Sequence, residues 1–258
     1  MARVICIANQ KGGVGKTTTA VNLSASLAAA EKRVLLMDLD PQGNSTSGMG
    51  LSKEGTNRTI YHALLSGSGL KEMVQKTPLS YLDIIISNTD LIGAEIELIQ
   101  EKDRERKLYH LIKEVEADYD YILIDCPPSL GLLTINSLTA AHAVLIPLQC
   151  EYYALEGLGH LLKTIRLIKQ ALNPKLEIEG ILLTMFDSRN NLSHQVANEV
   201  RNHFKDKVFR TIIPRNIRLS EAPSHGKPVL LYDVRSKGAE SYLNLAREMM
   251  ENGNRNVN

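Results

Sequence analysis

Tryptophan is absent, phenylalanine occurs three times, and aromatic residues make up only 5% of this 258-residue chain. A core must then be built from Ala, Leu, Ile and Val, which suits the strands of a buried parallel sheet. Stacking of bases on aromatic platforms, the usual grip on single-stranded nucleic acid, has little to work with. Cysteine is scarce as well: Cys6, Cys126 and Cys150 lie in or beside apolar runs. An odd, unpaired set argues against a disulfide framework and for the reducing cytoplasm. No His/Cys cluster has metal-site spacing, and no Ser-His-Asp grouping can be argued. No apolar run approaches the roughly 18 residues of a membrane span. Neither sign of charge dominates, with 30 Lys and Arg against 29 Asp and Glu. Any contact with a polyanion must come from a local patch. The length suits one α/β domain over residues 1–251, with the polar stretch 252–258 expected to be a disordered tail. Ala2-Arg3 leads straight into the first apolar run, so no leader peptide is expected.

What is present is one highly specific stretch, Gln10-Lys11-Gly12-Gly13-Val14-Gly15-Lys16-Thr17-Thr18. It follows the apolar run Val4–Ala8, which reads as a buried strand, and precedes Thr19–Ala30, which reads as a helix. Strand, glycine-rich turn and helix are the context that a phosphate-binding loop requires. Glycines let the backbone pass close to a phosphate with its N–H groups turned inward. The helix N-terminus adds unpaired donors. Residues 11–18 are therefore expected to bind nucleotide, with Lys16 reaching the β- and γ-phosphates and Thr17 binding Mg²⁺. Gly13-x-Gly15 lacks the third glycine of a dinucleotide fingerprint, because Thr18 stands there.

Strand-like and helix-like segments alternate along the rest of the chain. Strands are expected at Val34–Met37, Leu82–Ile86, Tyr121–Ile124, Ala143–Leu148, Ile178–Met185 and Val208–Ile213. Helices are expected at Ile60–Leu65, Leu70–Gln75, Ala94–Gln100, Arg104–Glu116, Glu156–Ala171, Leu192–Phe204 and Ala239–Met250. Residues 41–58 and Pro214–Pro228 read as irregular. This pattern implies an α/β fold, a mostly parallel sheet flanked by helices on both faces. Ligands then bind at the carboxyl ends of the strands. Asp125 ends one strand and suits the water shell of a bound Mg²⁺, which takes few protein ligands. Asp38 and Asp40 stand at the end of another and are expected on opposite faces, in different jobs. Asp40, nearer the loop, is the better candidate to orient an attacking water. The stiff Cys126-Pro127-Pro128-Ser129 turn could sense the γ-phosphate.

The run Lys-Gly-Gly-Val-Gly-Lys-Thr, with Gln10 where the common phosphate loop has glycine, resembles the deviant Walker A loop of the ParA/MinD group of ATPases. The likeness extends over roughly residues 2–250. Asp38-Leu-Asp-Pro-Gln-Gly-Asn44, Asp125-Cys-Pro-Pro-Ser-Leu-Gly131, Glu151-Tyr-Tyr-Ala-Leu-Glu-Gly157, Ile213-Pro-Arg-Asn216 and Leu219-Ser-Glu-Ala-Pro-Ser-His-Gly-Lys-Pro228 look like the small chromosomal ParA branch. The resemblance implies a P-loop NTPase fold and Mg²⁺-dependent ATP hydrolysis. It implies that Lys11, a signature lysine, reaches the partner's nucleotide in an ATP-bound homodimer, with Lys11, Lys16 and Asp40 catalytic. It places Pro214 and Asn216 beside the adenine. It implies non-specific duplex DNA binding, a ParB-type centromere-binding partner that stimulates hydrolysis, and a cytoplasmic, nucleoid-associated protein. As some family members do, the chain could instead contact a replication initiator or the transcription machinery as a regulator with little need for turnover. The membrane-anchored relatives end in a basic amphipathic helix, whereas Glu240–Glu251 carries one arginine and three glutamates; no stable membrane anchor is expected. The helix-turn-helix extension of longer plasmid relatives is not expected either.

Residues 201–218 hold Arg201, Lys205, Lys207, Arg210, Arg215 and Arg218 against a single opposing Asp206. Such asymmetry in a nearly neutral chain marks a patch suited to phosphate contact. The resemblance assigns Arg189 and Arg218 to a DNA-binding face formed across the dimer, and Arg215 and Lys207 are expected to belong to it.

Overall fold

The computed structural model describes residues 1–65, 67–152 and 154–255. Seven strands form one sheet in the order β3-β4-β2-β5-β1-β6-β7. They are β1 Arg3–Ile7, β2 Val34–Asp38, β3 Val74–Lys76, β4 Leu82–Ile85, β5 Tyr121–Asp125, β6 Ala143–Gln149 and β7 Glu177–Thr184. All pairings are parallel except β3 with β4. The helices are α1 Lys16–Ala29, α2 Asn44–Gly48, α3 Ile60–Leu65, α4 Leu70–Met73, α5 Leu91–Glu97 and α6 Lys107–Lys113. They continue with α7 Leu132–Ala140, α8 Ala154–Ala171, α9 Asn191–Phe204, α10 Ile217–Glu221, α11 Val229–Tyr232 and α12 Lys237–Arg255.

Strands buried on both faces need near-continuous apolar runs, and β1, β2 and β5 have them. The pleat splits each run between two cores. Val4, Cys6, Leu35, Met37, Ile122 and Ile124 pack under α3, α5, α6, α7 and α8. Ile5, Ile7, Val34, Leu36 and Leu123 pack against α1 and α12 on the other side. The central strand β1 thus lies between two helical layers, and its carboxyl end opens into the phosphate loop.

Five expectations need correction. Residues 41–58 are not all loop: after Gly43, at φ 60°, the chain forms α2. That helix has only five residues and no apolar period, so pattern reading misses it. The expected helix Leu70–Gln75 stops at Met73, and Val74–Lys76 becomes an edge strand antiparallel to β4. Its polar composition suits an edge with one open side. Val208–Ile213 is not a strand. It touches β7 through the isolated bridges Ile181–Val208 and, just beyond it, Phe186–Pro214. The Phe209 ring packs on Gly180, where a Cβ would come within 2.6 Å of it, and the segment follows β7 through separate backbone bonds, Phe209 N to the Ile181 carbonyl at 3.0 Å and Ile213 N to the Leu183 carbonyl at 2.9 Å, without a continuous ladder. The stretch 214–228 contains α10 and a 3-10 turn, Ala222–His225. At the end of the chain α12 runs to Arg255, past the boundary at residue 251. The remainder of the expected tail, 256–258, lies outside the described residues.

Candidate nucleotide site

The loop between β1 and α1 is held open from several sides. Asn9 Nδ2 donates to the Pro147 carbonyl at 2.7 Å, and Asn9 Oδ1 accepts from Lys11 N at 3.0 Å. Thr184 Oγ1 donates to the Val14 carbonyl at 2.9 Å. Gly13 and Gly15 sit at φ 73° and 89°, where side chains are strained. A Cβ built on Gly12 or Gly13 would meet nothing within 4 Å, so the cradle is open on that side. Gly15 caps α1 without any side-chain hydrogen bond, and the first turn carries no acid. The unpartnered donors at the helix start suit an anion. Lys16 is buried and its Nζ donates to the Lys11 carbonyl at 3.1 Å. Burial lowers its pKa, while the charges of Asp125, Cys126 and Asp40 oppose that shift.

Three carboxylates meet this loop, and each has a different environment. Asp38 and Asp125 are paired in register at the ends of adjacent strands. Asp125 Oδ2 accepts from Ser45 Oγ at 2.7 Å, while its Oδ1 is buried without a partner. Asp38 Oδ2 accepts from the backbone N and hydroxyl of Thr46 at 2.8 and 2.7 Å, and its Oδ1 accepts from Asp40 N at 3.2 Å. Asp40 Oδ1 accepts from Gln42 N at 2.9 Å. The expected alternation of Asp38 and Asp40 to opposite faces is wrong, because residues two apart on a strand share a face. What separates them is that β2 ends at Asp38 and the chain turns. Ser45 and Thr46 were not anticipated as site residues. They arrive on α2, which the sequence pattern does not show.

Burial and the neighbouring Asp38 charge push the Asp125 carboxyl up to about 8, against the hydrogen bond from Ser45 and the nearby Thr17 hydroxyl. Burial pushes Asp38 to about 6, against its bonds from Thr46. An orphaned carboxylate oxygen beside Thr17 is what a hydrated Mg²⁺ would satisfy, since that ion keeps several waters. Among the described residues no group of three or more His, Cys, Asp or Glu could hold a metal directly, and this donor set fits Thr17 with Asp125 acting through water. A stability prediction follows from the two raised carboxyls. Native Asp38 holds its proton up to about pH 6 and Asp125 up to about pH 8, whereas the unfolded chain loses both near pH 4. The nucleotide-free protein is therefore more stable at pH 5 than at pH 8. Thermal melts across that window check this, and MgATP, by favouring the charged carboxylates, narrows the difference.

A cavity of about 530 Å³ adjoins the loop, lined by Gly15, Thr18, Met185, Pro214, Asn216 and Tyr242 among others. It brings Pro214 and Asn216 beside the nucleotide loop. Asn216 Oδ1, however, caps α10 by accepting from Arg218 N at 3.1 Å, so one of its acceptor sites is taken, while its Nδ2 donors are not. Tyr242 is buried and its hydroxyl meets Thr19 Oγ1 at 3.2 Å, fixing α12 against α1 under this pocket.

Lys11 Nζ pairs with Glu151 of its own chain at 2.8 Å, and both side chains are partly exposed on the rim. Arg189, Arg215 and Arg218 lie beyond the carboxyl ends of the strands. Arg189 pairs with Asp187 at 3.0 Å, holding that acid down at about 2. Arg218 pairs with Glu221 at 2.8 Å and Asp233 at 3.2 Å. Lys207 does not join them. Val208 bridges to the middle of β7, and Lys207 lines a cavity with Arg3 and Glu177 at the amino end of the sheet. The basic segment 201–218 is thus divided between two ends of the molecule, because it runs alongside β7 for the strand's length.

Comparison with known proteins agrees with this geometry. A protein-family profile described as an AAA domain matches residues 2–178. The chain is 60% identical over 251 residues to the chromosome partitioning protein ParA of Myxococcus xanthus, covering 97% of this chain and 89% of that one. It is 57% identical to the sporulation initiation inhibitor protein Soj of Bacillus subtilis, covering 98% of this chain and 100% of that one. Among solved structures, a Mycobacterium smegmatis protein described as cobyrinic acid a,c-diamide synthase, with bound ADP and magnesium, superposes with a TM-score of 0.84. It is 38% identical and covers 96% of this chain and 93% of that one. Loop, carboxylates, sheet order and these likenesses over nearly the whole chain lead to one assignment: this chain belongs to the ParA/Soj family of P-loop partitioning ATPases.

Proposed function

We propose that this chain is an ATP-timed partitioning switch, whose ATP-bound homodimer grips DNA without sequence preference. It is an ATPase that uses ATP and Mg²⁺, as its family membership entails. The loop amides and Lys16 bind the phosphates, and Thr17 and Asp125 hold the hydrated ion. Bound Mg²⁺ supplies charge neutralisation at the β- and γ-phosphates. Asp40 orients the attacking water, a role favoured by its buried position and by an Oδ2 that no hydrogen bond occupies among the described residues. Asp38, with both oxygens engaged, is structural. Lys11 leaves Glu151 and crosses to the partner's nucleotide, so hydrolysis awaits dimerisation. A ParB-type partner would accelerate that hydrolysis and release the dimer from the nucleoid.

The observation that carries this reading is Lys11 at the exposed rim of a phosphate loop, restrained only by a partly exposed ion pair. Such pairs contribute roughly 0–1 kcal/mol and are readily exchanged. Light scattering with ADP and with ATP, followed by duplex DNA, tests it. The dimer should form with ATP alone, and its DNA affinity should fall steeply with salt, as phosphate contact requires. Arg218→Glu should dimerise with ATP and lose DNA binding by tenfold or more, ~1.4 kcal/mol. A protein that stays monomeric with ATP, even with turnover blocked, refutes the reading.

A further inference from the structure

The end of the sheet opposite the nucleotide loop carries a second concave surface. Two cavities of about 1010 and 590 Å³ adjoin there and share His142 and Lys175 in their walls. They lie at the amino ends of β1, β6 and β7, where Arg3, Ala143 and Glu177 begin those strands. The floor is apolar: Ile165, Leu176 and Ile178 line one cavity, and Ile112 and Leu172 the other. The rim is cationic. Lys169, Lys175 and Lys207 border the larger cavity, and Arg106 borders the smaller one. All four are exposed, and none has an ion pair among the described residues. The opposing acids are few. Of those in the walls, Glu116 is paired with Lys113 at 3.0 Å, and Glu177 remains.

The surroundings extend this charge. From residue 157 to residue 176 the chain contains no Asp or Glu, but it contains Lys163, Arg166, Lys169 and Lys175. The first three ride the outer part of α8 at three-residue spacing and are exposed. His142 reports the same field. Its Nδ1 accepts from Val4 N at 3.0 Å, so Nε2 carries the proton as a donor on the groove wall. Burial lowers its pKa first. The charges of Lys113 and Arg3 lower it further, with Glu116 opposing. The imidazole is thus a neutral donor in a positive groove.

We propose that this amino-end groove is a docking site for an acidic segment of a partner protein, one that carries apolar side chains among its carboxylates. The argument is one of complementarity. Carboxylates would meet the unpaired rim cations, and apolar side chains would cover the half-buried Ile178 and Leu172, whose remaining exposed surface gains from leaving water. A duplex backbone offers phosphates for the rim but nothing apolar for the floor. The groove is also remote from Arg189, Arg215 and Arg218, at the far end of β7, so both surfaces can be occupied at once.

The test uses the full chain with ADP and a fluorescein-labelled peptide of repeated Glu-Glu-Leu units, read by anisotropy. Oligoglutamate and a Lys-Lys-Leu repeat serve as controls. The Glu-Glu-Leu peptide should bind more tightly than oligoglutamate, and the Lys-Lys-Leu peptide should not bind. Lys169→Glu with Lys175→Glu should weaken the Glu-Glu-Leu peptide by at least ~10-fold, since like charges replace two attractive ones. Nucleotide affinity and ATP-dependent duplex binding should be unchanged in that variant, which also reports that it is folded. The proposal fails if the wild type binds the acidic peptide no better than the basic one, or if the double variant binds it equally well. It also fails if the double variant loses duplex binding instead, which would make the groove a nucleic-acid surface.

Discussion

Asp40→Ala should lower ATP turnover by about 10²- to 10⁴-fold, the range that one positioned proton acceptor supplies, while ATP should still bind. The carboxylate sits just past the end of β2, buried, with Oδ1 tied to Gln42 N at 2.9 Å. That single tie orients the group without consuming it. Because the proposed phosphate contacts belong to the loop and to Lys16, nucleotide affinity should survive the substitution. On the proposed cycle the variant should accumulate as an ATP-bound dimer on DNA, and single-turnover hydrolysis together with sedimentation on duplex checks both effects. Asp38→Asn is the informative contrast. Its two oxygens serve Thr46 and the Asp40 amide, so it should lower the melting temperature rather than act only on turnover. Unchanged hydrolysis in Asp40→Ala would move the water-orienting role to another residue.

Lys16→Ala should abolish the cycle at its first step. The ammonium is buried, reaches the Lys11 carbonyl at 3.1 Å, and has Asp125 and Asp40 nearby. A cation desolvated to this degree is stabilised fully only when phosphate oxygens replace that one carbonyl. Loss of two charge-assisted hydrogen bonds, at about 1.5–3 kcal/mol each, predicts at least ~100-fold weaker ATP binding by titration calorimetry. The proposed dimerisation and DNA binding should disappear with it. Lys11→Ala separates the two lysines, because it should keep monomeric ATP affinity and lose dimer-dependent turnover. Retained ATP affinity in Lys16→Ala would contradict the assigned phosphate contact.

Much of this was legible along the chain, for identifiable reasons. The loop from Lys11 to Thr18 is contiguous, and its glycines and lysine have few other uses between a strand and a helix. Asp125 and Asp40 stand beside apolar runs, and strand ends in a parallel sheet converge on one rim. The pairing of Asp38 with Asp125, by contrast, needed the strand order, which puts β5 between β2 and β1. Ser45 and Thr46 escaped notice because α2 is held by tertiary hydrogen bonds to Asp125 and Asp38, not by any period of its own. The assignment of Lys207 to one basic face with Arg218 failed because nearness in sequence does not decide which end of a strand a residue reaches.

By itself the sequence determined the parallel α/β class, the phosphate loop and the kind of chemistry. These rest on local signals: apolar runs of strand length, glycines where the backbone must turn, and a lysine at fixed spacing. Only the tertiary structure decided which carboxylates share a site, that Lys11 rests on Glu151, and that the basic residues fall into two opposed surfaces. Those are relations between segments up to 140 residues apart. Burial and charge act through space, and the chain order carries no record of that distance until the sheet is assembled.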